Sequence, residues 1–176
     1  MGVSRGVLAV GTVLVAILQT GCVSKESEML GAPVEGYNHT SAAINRFTVN
    51  GAGGPNIGPY QGGGKQVCCS SVPRYWRPGL RAIVEWEKDP SPGGYGSWPE
   101  RPYSEAWNKR MDEHRSHYTR HRMVVEIPQY QEAGTLKVHF LPCDQVRVSA
   151  DNIFYDTPRY RYNFPRKMED TECPKA

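Results

Sequence analysis

The chain has no apolar run long enough to cross a bilayer, no block of like charge and no C-x-x-C cysteine pair. The first absence excludes an ordinary membrane-spanning helix, because the N-terminal run Val7–Leu18 is too short and too rich in glycine. The second leaves no electrostatic footprint for nucleic acid: 21 Lys+Arg stand against 18 Asp+Glu, a formal net charge of +3. The third argues against a structural zinc site. What the chain has in quantity is Gly 18, Pro 14 and Tyr 10, a composition of turns, short strands and aromatic surfaces.

The N-terminus carries the strongest single signal. Arg5 supplies a positive start, Val7–Leu18 an apolar stretch, and Thr20-Gly21 small residues leading into Cys22. This resembles a bacterial lipoprotein leader cleaved before Cys22, with lipid added to that cysteine. Gln19 departs from the pattern, since Leu usually stands three places before the cysteine and here it is Leu18. The alternative is an ordinary secretory signal. Two or three acyl chains anchor a protein almost permanently, at about 0.8 kcal/mol per buried methylene. Val23 and Ser24 follow the cysteine where Asp would hold a lipoprotein at the inner membrane, which favours the outer membrane facing the periplasm. Loss of residues 1–21 removes Arg5 alone and lowers the charge to +2, leaving 155 residues. The division expected is a leader at 1–21, a polar flexible tether at 22–36 and one globular domain at 37–176.

Four cysteines remain after Cys22: Cys68, Cys69, Cys143 and Cys173. An even number in an exported chain favours disulfides. Neighbours in a strand point to opposite faces, so Cys68 and Cys69 are expected to bond to different partners, one to Cys143 and the other to Cys173.

Hydrophobic patterning predicts a mainly β, α+β fold: an antiparallel sandwich or open barrel of about six short strands with one packed helix. Strands are expected over Asn38–Asn50 (Phe47 and Val49 on one face), Val67–Val72, Leu80–Glu87, Met123–Ile127, Leu136–Phe140 and Val146–Val148. Lys137 and His139 are placed outward, and Pro142-Cys143-Asp144 is a tight connection. Ser104 reads as an N-cap opening a helix whose stripe is Trp107, Met111, His114 and Tyr118. The tail from Asp151 is aromatic, basic and irregular.

No catalytic or cofactor motif emerges. The glycine loop Gly51–Lys65 fails the phosphate-loop pattern, because Gln66 follows Gly64-Lys65 and Pro59 occupies the position of the first glycine. His114, His117 and His121 have helical spacing, but His114 lies in the apolar stripe and Arg115, Arg120 and Arg122 surround the group, so no metal is expected. Ser97 sits in a Pro/Gly-rich loop, where a nucleophile elbow cannot form. Glu85 and Glu87 read as the solvent face of a strand. The chain is therefore read as no enzyme, with no cofactor. Tyr60, Tyr95, Trp98 and Tyr103, on the loops Gly51–Lys65 and Pro90–Tyr103, are the partner-binding residues expected, or else side chains that fold back on the sandwich.

The combination of Val49-Asn50-Gly51, Cys68-Cys69, Pro73, Trp76, Pro78-Gly79, Val84-Glu85-Trp86 and Val138-His139-Phe140-Leu141-Pro142-Cys143 resembles an uncharacterised domain family of short Gram-negative lipoproteins. The resemblance spans about Tyr37 to Ser149. It implies an immunity protein that binds and neutralises a cognate phospholipase effector of the type VI secretion system, with the membrane reached through the lipid anchor. The family offers no catalytic residues to carry over. The competing expectation is a general cell-envelope binding or assembly lipoprotein without a toxin partner.

Overall fold

A computed structural model of the chain describes Gly2 and residues 28–168. The leader beyond Gly2, the lipidation position Cys22 and the disulfide candidate Cys173 lie outside the described residues. The architecture is mainly β, a sandwich-like α+β fold of two four-stranded open sheets with one helix. The strands are β1 (Met29–Asn38), β2 (Ala43–Val49), β3 (Ala52–Gly53), β4 (Gly62–Pro73), β5 (Arg81–Asp89), β6 (Thr119–Glu126), β7 (Ala133–Leu141) and β8 (Gln145–Asp151); the helix α1 (Glu105–Ser116) lies between β5 and β6. One sheet has the order β4-β1-β7-β8 and the other β3-β2-β5-β6. Every pairing is antiparallel except β1 with β7, which run parallel from Val34↔Leu136 to Asn38↔Phe140.

Alternation decides which face is buried. Leu136, Val138 and Phe140 of β7, Val146 and Val148 of β8 and Val34 of β1 turn inward. They meet Phe47 and Val49 of β2, Ala82, Val84 and Trp86 of β5, and Val125 of β6. Phe140 is the aromatic joint between the sheets, edge-on to Phe47 at 5.1 Å and to Trp86 at 5.8 Å between ring centroids. Trp76 and Tyr130 seal one end, the indole donating to the Ile127 carbonyl at 3.0 Å and the phenol to that of Pro73 at 2.5 Å. The outer face of the second sheet is solvated. There Glu87 accepts from Arg46 at 2.8 Å and Arg120 at 3.1 Å, and Glu85 faces Arg122 at 3.3 Å. Burial alone would raise the Glu87 pKa, but the two guanidinium bonds outweigh it and hold the group below the usual range.

Four expectations need correction. Residues 29–36 are not tether: they form most of β1, the strand that lies between β4 and β7. Its polar residues Glu35, Tyr37 and Asn38 hide it from a hydrophobic search, and the single strand expected over Asn38–Asn50 is divided by the turn at 39–42. The short strand at Val67–Val72 extends back through Gly62–Gln66 to twelve residues. The disulfide pairing also differs. Cys68 and Cys69 bond to each other across a cis peptide, so neither joins Cys143. Cys143 is itself disulfide-bonded.

Other elements follow the pattern read above. Ser104 caps α1, its hydroxyl accepting from the Trp107 amide at 3.3 Å, and Glu105 stands in the first turn, where a negative charge suits the helix dipole. Cys143 and Asp144 both take left-handed backbone angles, as a tight β7–β8 hairpin requires. No helix among the described residues is long and apolar enough to cross a membrane.

Candidate functional site

Two parts of the surface stand out, and the first is an arm. Strands β5 and β6 are paired up to Lys88↔Thr119, so residues 90–118 leave the sandwich and return at one point. This excursion holds a 3-10 turn at Gly94–Ser97 and then α1. It has a small aromatic core of its own. Trp98 lies 6.1 Å from Trp107, 6.2 Å from Tyr95 and 5.8 Å from His114, all edge-on, and Tyr118 meets the same imidazole at 5.4 Å. Met111 is the one buried side chain of the helix. At the root, the imidazole Nε2 of His114 pairs with Oδ2 of the buried Asp89 at 3.0 Å. Arg110 lies over the Trp98 ring and holds Glu100 at 2.6 Å.

The arm therefore gathers three of the four residues expected to bind a partner. Trp98 is half-buried as its keystone, whereas Tyr95 is 47% and Tyr103 82% exposed. Tyr103 adopts φ 65° and rests one edge on Trp107 at 5.2 Å, leaving its outer side free. Aromatic rings on a braced support lose little entropy when they dock, which suits protein recognition. Tyr60 does not join them: it lies in the glycine loop, where Lys167 sits over its ring.

The three helical-spaced histidines separate. His114 is tied to Asp89, His117 follows the last helical turn in solvent, and His121 stacks on Trp86 at 5.0 Å. Among the described residues no group of three or more His, Cys, Asp or Glu could hold a metal ion.

The second part is the outer face of the β4-β1-β7-β8 sheet. Lys137 and His139 point away from the sandwich core as expected, yet they are 4% and 0% exposed. The irregular tail, residues 151–168, covers them with Tyr155, Tyr160, Tyr162 and Phe164. Its end is pinned by the Met168 amide donating to the His39 carbonyl at 2.9 Å. Beneath it runs a polar chain whose direction follows from one fact. The Pro165 carbonyl can only accept, so Nδ1 of His39, 2.7 Å away, carries the proton. In the neutral ring Nε2 then accepts from Nδ1 of His139 at 2.9 Å. Nε2 of His139 accepts the Tyr160 hydroxyl at 2.7 Å, and that oxygen accepts the Ser149 hydroxyl at 3.0 Å. Burial holds both imidazoles neutral. It lowers the His39 pKa and, with His39 and Lys137 adding, brings His139 down to about 3.

Beside this chain opens a cavity of about 340 Å³, lined among others by Glu35, Tyr37, Gln66, Thr135, Lys137 and Arg166. Glu35 and Lys137 are register neighbours on β1 and β7, but the ammonium turns to Asp151, 2.7 Å from its carbonyl and 3.1 Å from Oδ1. Burial, then the negative Glu35 to which it hydrogen-bonds, raises the Tyr37 pKa. Sequence reasoning missed this site because five of its lining residues, Asn152 to Tyr155 and Arg166, come from the tail. The available signal was the match between two outward polar residues on β7 and a later segment dense in tyrosine.

No curated protein and no solved structure matches the chain at a significant level. Residues 37–148, from the end of β1 to β8, match a family described as a protein of unknown function, DUF3304. That match takes in the arm but neither the first eight residues of β1 nor the covering tail. On a match of more than half its length, the chain belongs to the DUF3304 family.

Proposed function

We propose that this protein is a lipid-anchored immunity protein that binds and neutralises a cognate type VI secretion phospholipase at the periplasmic side of the envelope, without chemistry of its own. The arm 90–118 is the observation that carries the reading: a self-braced projection offering Tyr95 and Tyr103 to solvent. Binding residues are found disproportionately on connecting segments held by a rigid scaffold, and hot spots of binding energy concentrate in tyrosine and tryptophan that become buried. The leader-like sequence before Cys22 supports the location. Six residues separate Cys22 from Met29, a span of about 20 Å at full extension, so the anchored domain would stay close to the membrane that a phospholipase attacks. Tethering also raises the effective concentration of the inhibitor there.

The test is to seek a lipase effector encoded beside it and to co-express the two with the lipase directed to the periplasm. Wild-type protein is expected to rescue growth and to co-purify with the lipase. Tyr103→Ala and Tyr95→Ala are expected to weaken the complex by about 2 kcal/mol or more if these rings enter the interface. Absence of both rescue and binding by the wild type would remove the reading.

A further inference from the structure

The cavity on the tail-covered face holds two opposite charges that do not meet. Glu35 is 7% exposed and lines the space, yet among the described residues no cation lies within ion-pair distance of it. Its cross-strand neighbour Lys137 is satisfied by Asp151. Arg166 lines the same cavity, with no ion-pair partner among the described residues. Leaving a buried carboxylate without a cation is costly unless something else supplies one. The buried Tyr37 donates its hydroxyl to Glu35 and stacks on His139 at 4.8 Å, so the carboxylate is hydrogen-bonded but carries no compensating positive charge. Tyr155, 4.5 Å from Tyr37, lines the same wall, and aromatic rings attract ammonium. A guanidinium binds phosphate or carboxylate in a forked pair. The volume lies at the lower end of ligand pockets, enough for a compact molecule.

We propose that this cavity binds a small zwitterion, its primary ammonium on Glu35 and its acidic group on Arg166, of the class of ethanolamine phosphate. The same chemistry is offered by a free phosphoester and by a phospholipid headgroup. Phe154, 80% exposed on the cavity wall, would lie against the acyl region in the second case. The site is independent of the arm and of any toxin.

The purified full-length protein is titrated calorimetrically with O-phosphoethanolamine and, separately, with short-chain dihexanoyl phosphatidylethanolamine. Saturable binding is expected with at least one. Phosphocholine, whose trimethylated nitrogen has no N–H to donate, should bind about tenfold more weakly or worse. Glu35→Gln and Arg166→Gln should each lose about tenfold in affinity, roughly 1.4 kcal/mol. Binding of the free phosphoester alone assigns the ligand to the soluble pool, and binding of the lipid assigns it to the headgroup. No saturable heat with either at millimolar concentration overturns the site. So does equal affinity for phosphocholine, a comparison made on the wild type and so unaffected by any folding defect of the variants.

Discussion

Ser149, Tyr160, His139 and His39 show how single residues can be fixed by what their neighbours cannot do. Because the Pro165 carbonyl has no proton to give, every donor in the chain points the same way, and each ring nitrogen has one role. Such a chain is worth little net per bond but is expensive to interrupt. Tyr160→Phe should leave Nε2 of His139 a buried acceptor without a donor, and should destabilise the fold by about 1–3 kcal/mol in urea unfolding. Steric fixing is as strict at Gly54. A Cβ there would stand 1.9 Å from the Phe47 ring, which is held in the core and cannot retreat. Gly54→Ala should therefore cost about 1–3 kcal/mol, read as a lowered urea midpoint with unchanged slope.

The arm is separable from the strands that carry it. Replacing residues 90–118 by one glycine leaves Asp89-Gly between the paired Lys88 and Thr119, a two-residue turn of the preferred hairpin type. The shortened protein should keep its far-UV β signature and lose the lipase binding proposed above; loss of the fold instead would show that the arm supports the sandwich. The parts of the arm were legible in the sequence: Ser104 as a cap, the Trp107–Tyr118 stripe and the Pro/Gly-rich approach each have a local cause. Their gathering into one excursion with its own aromatic core was not, since the helix was expected to pack on the sandwich. The inner-facing strand residues were equally legible, because Leu136-Val138-Phe140 and Ala82-Val84-Trp86 alternate cleanly. Strand β1 was not, since its outward side carries Glu35 and Tyr37, with His39 just beyond its end, and their burial depends on a segment more than a hundred residues later. The Cys68–Cys69 bond escaped for a related reason: alternation describes an ordinary trans strand and says nothing of a cis peptide. The candidate cavity needs β1, β4, β7 and the tail together, so no local pattern could announce it.

Taken whole, the molecule is two layers of protection around one sheet, apolar inside and polar-aromatic outside, and the outer layer makes it sensitive to acid. His39 and His139 have pKa values in the folded state below the ordinary 6.5, so the unfolded chain binds more protons and stability falls as pH drops. The loss should begin below about pH 6.5 and continue toward about pH 3, at up to roughly 1.4 kcal/mol per pH unit for His139 alone. Urea midpoints at pH 7.5, 5.5 and 4.5 should decline in that order, and His139→Gln should flatten the dependence. The parallel pairing of β1 with β7 has its own consequence for biogenesis. While the chain emerges from the ribosome or a translocation pore, β1 can zip onto β4 early, but its opposite edge stays open until residue 141 has been delivered. For that interval the newborn protein exposes an unpaired strand border near its N-terminal end, the kind of surface that holding chaperones cover.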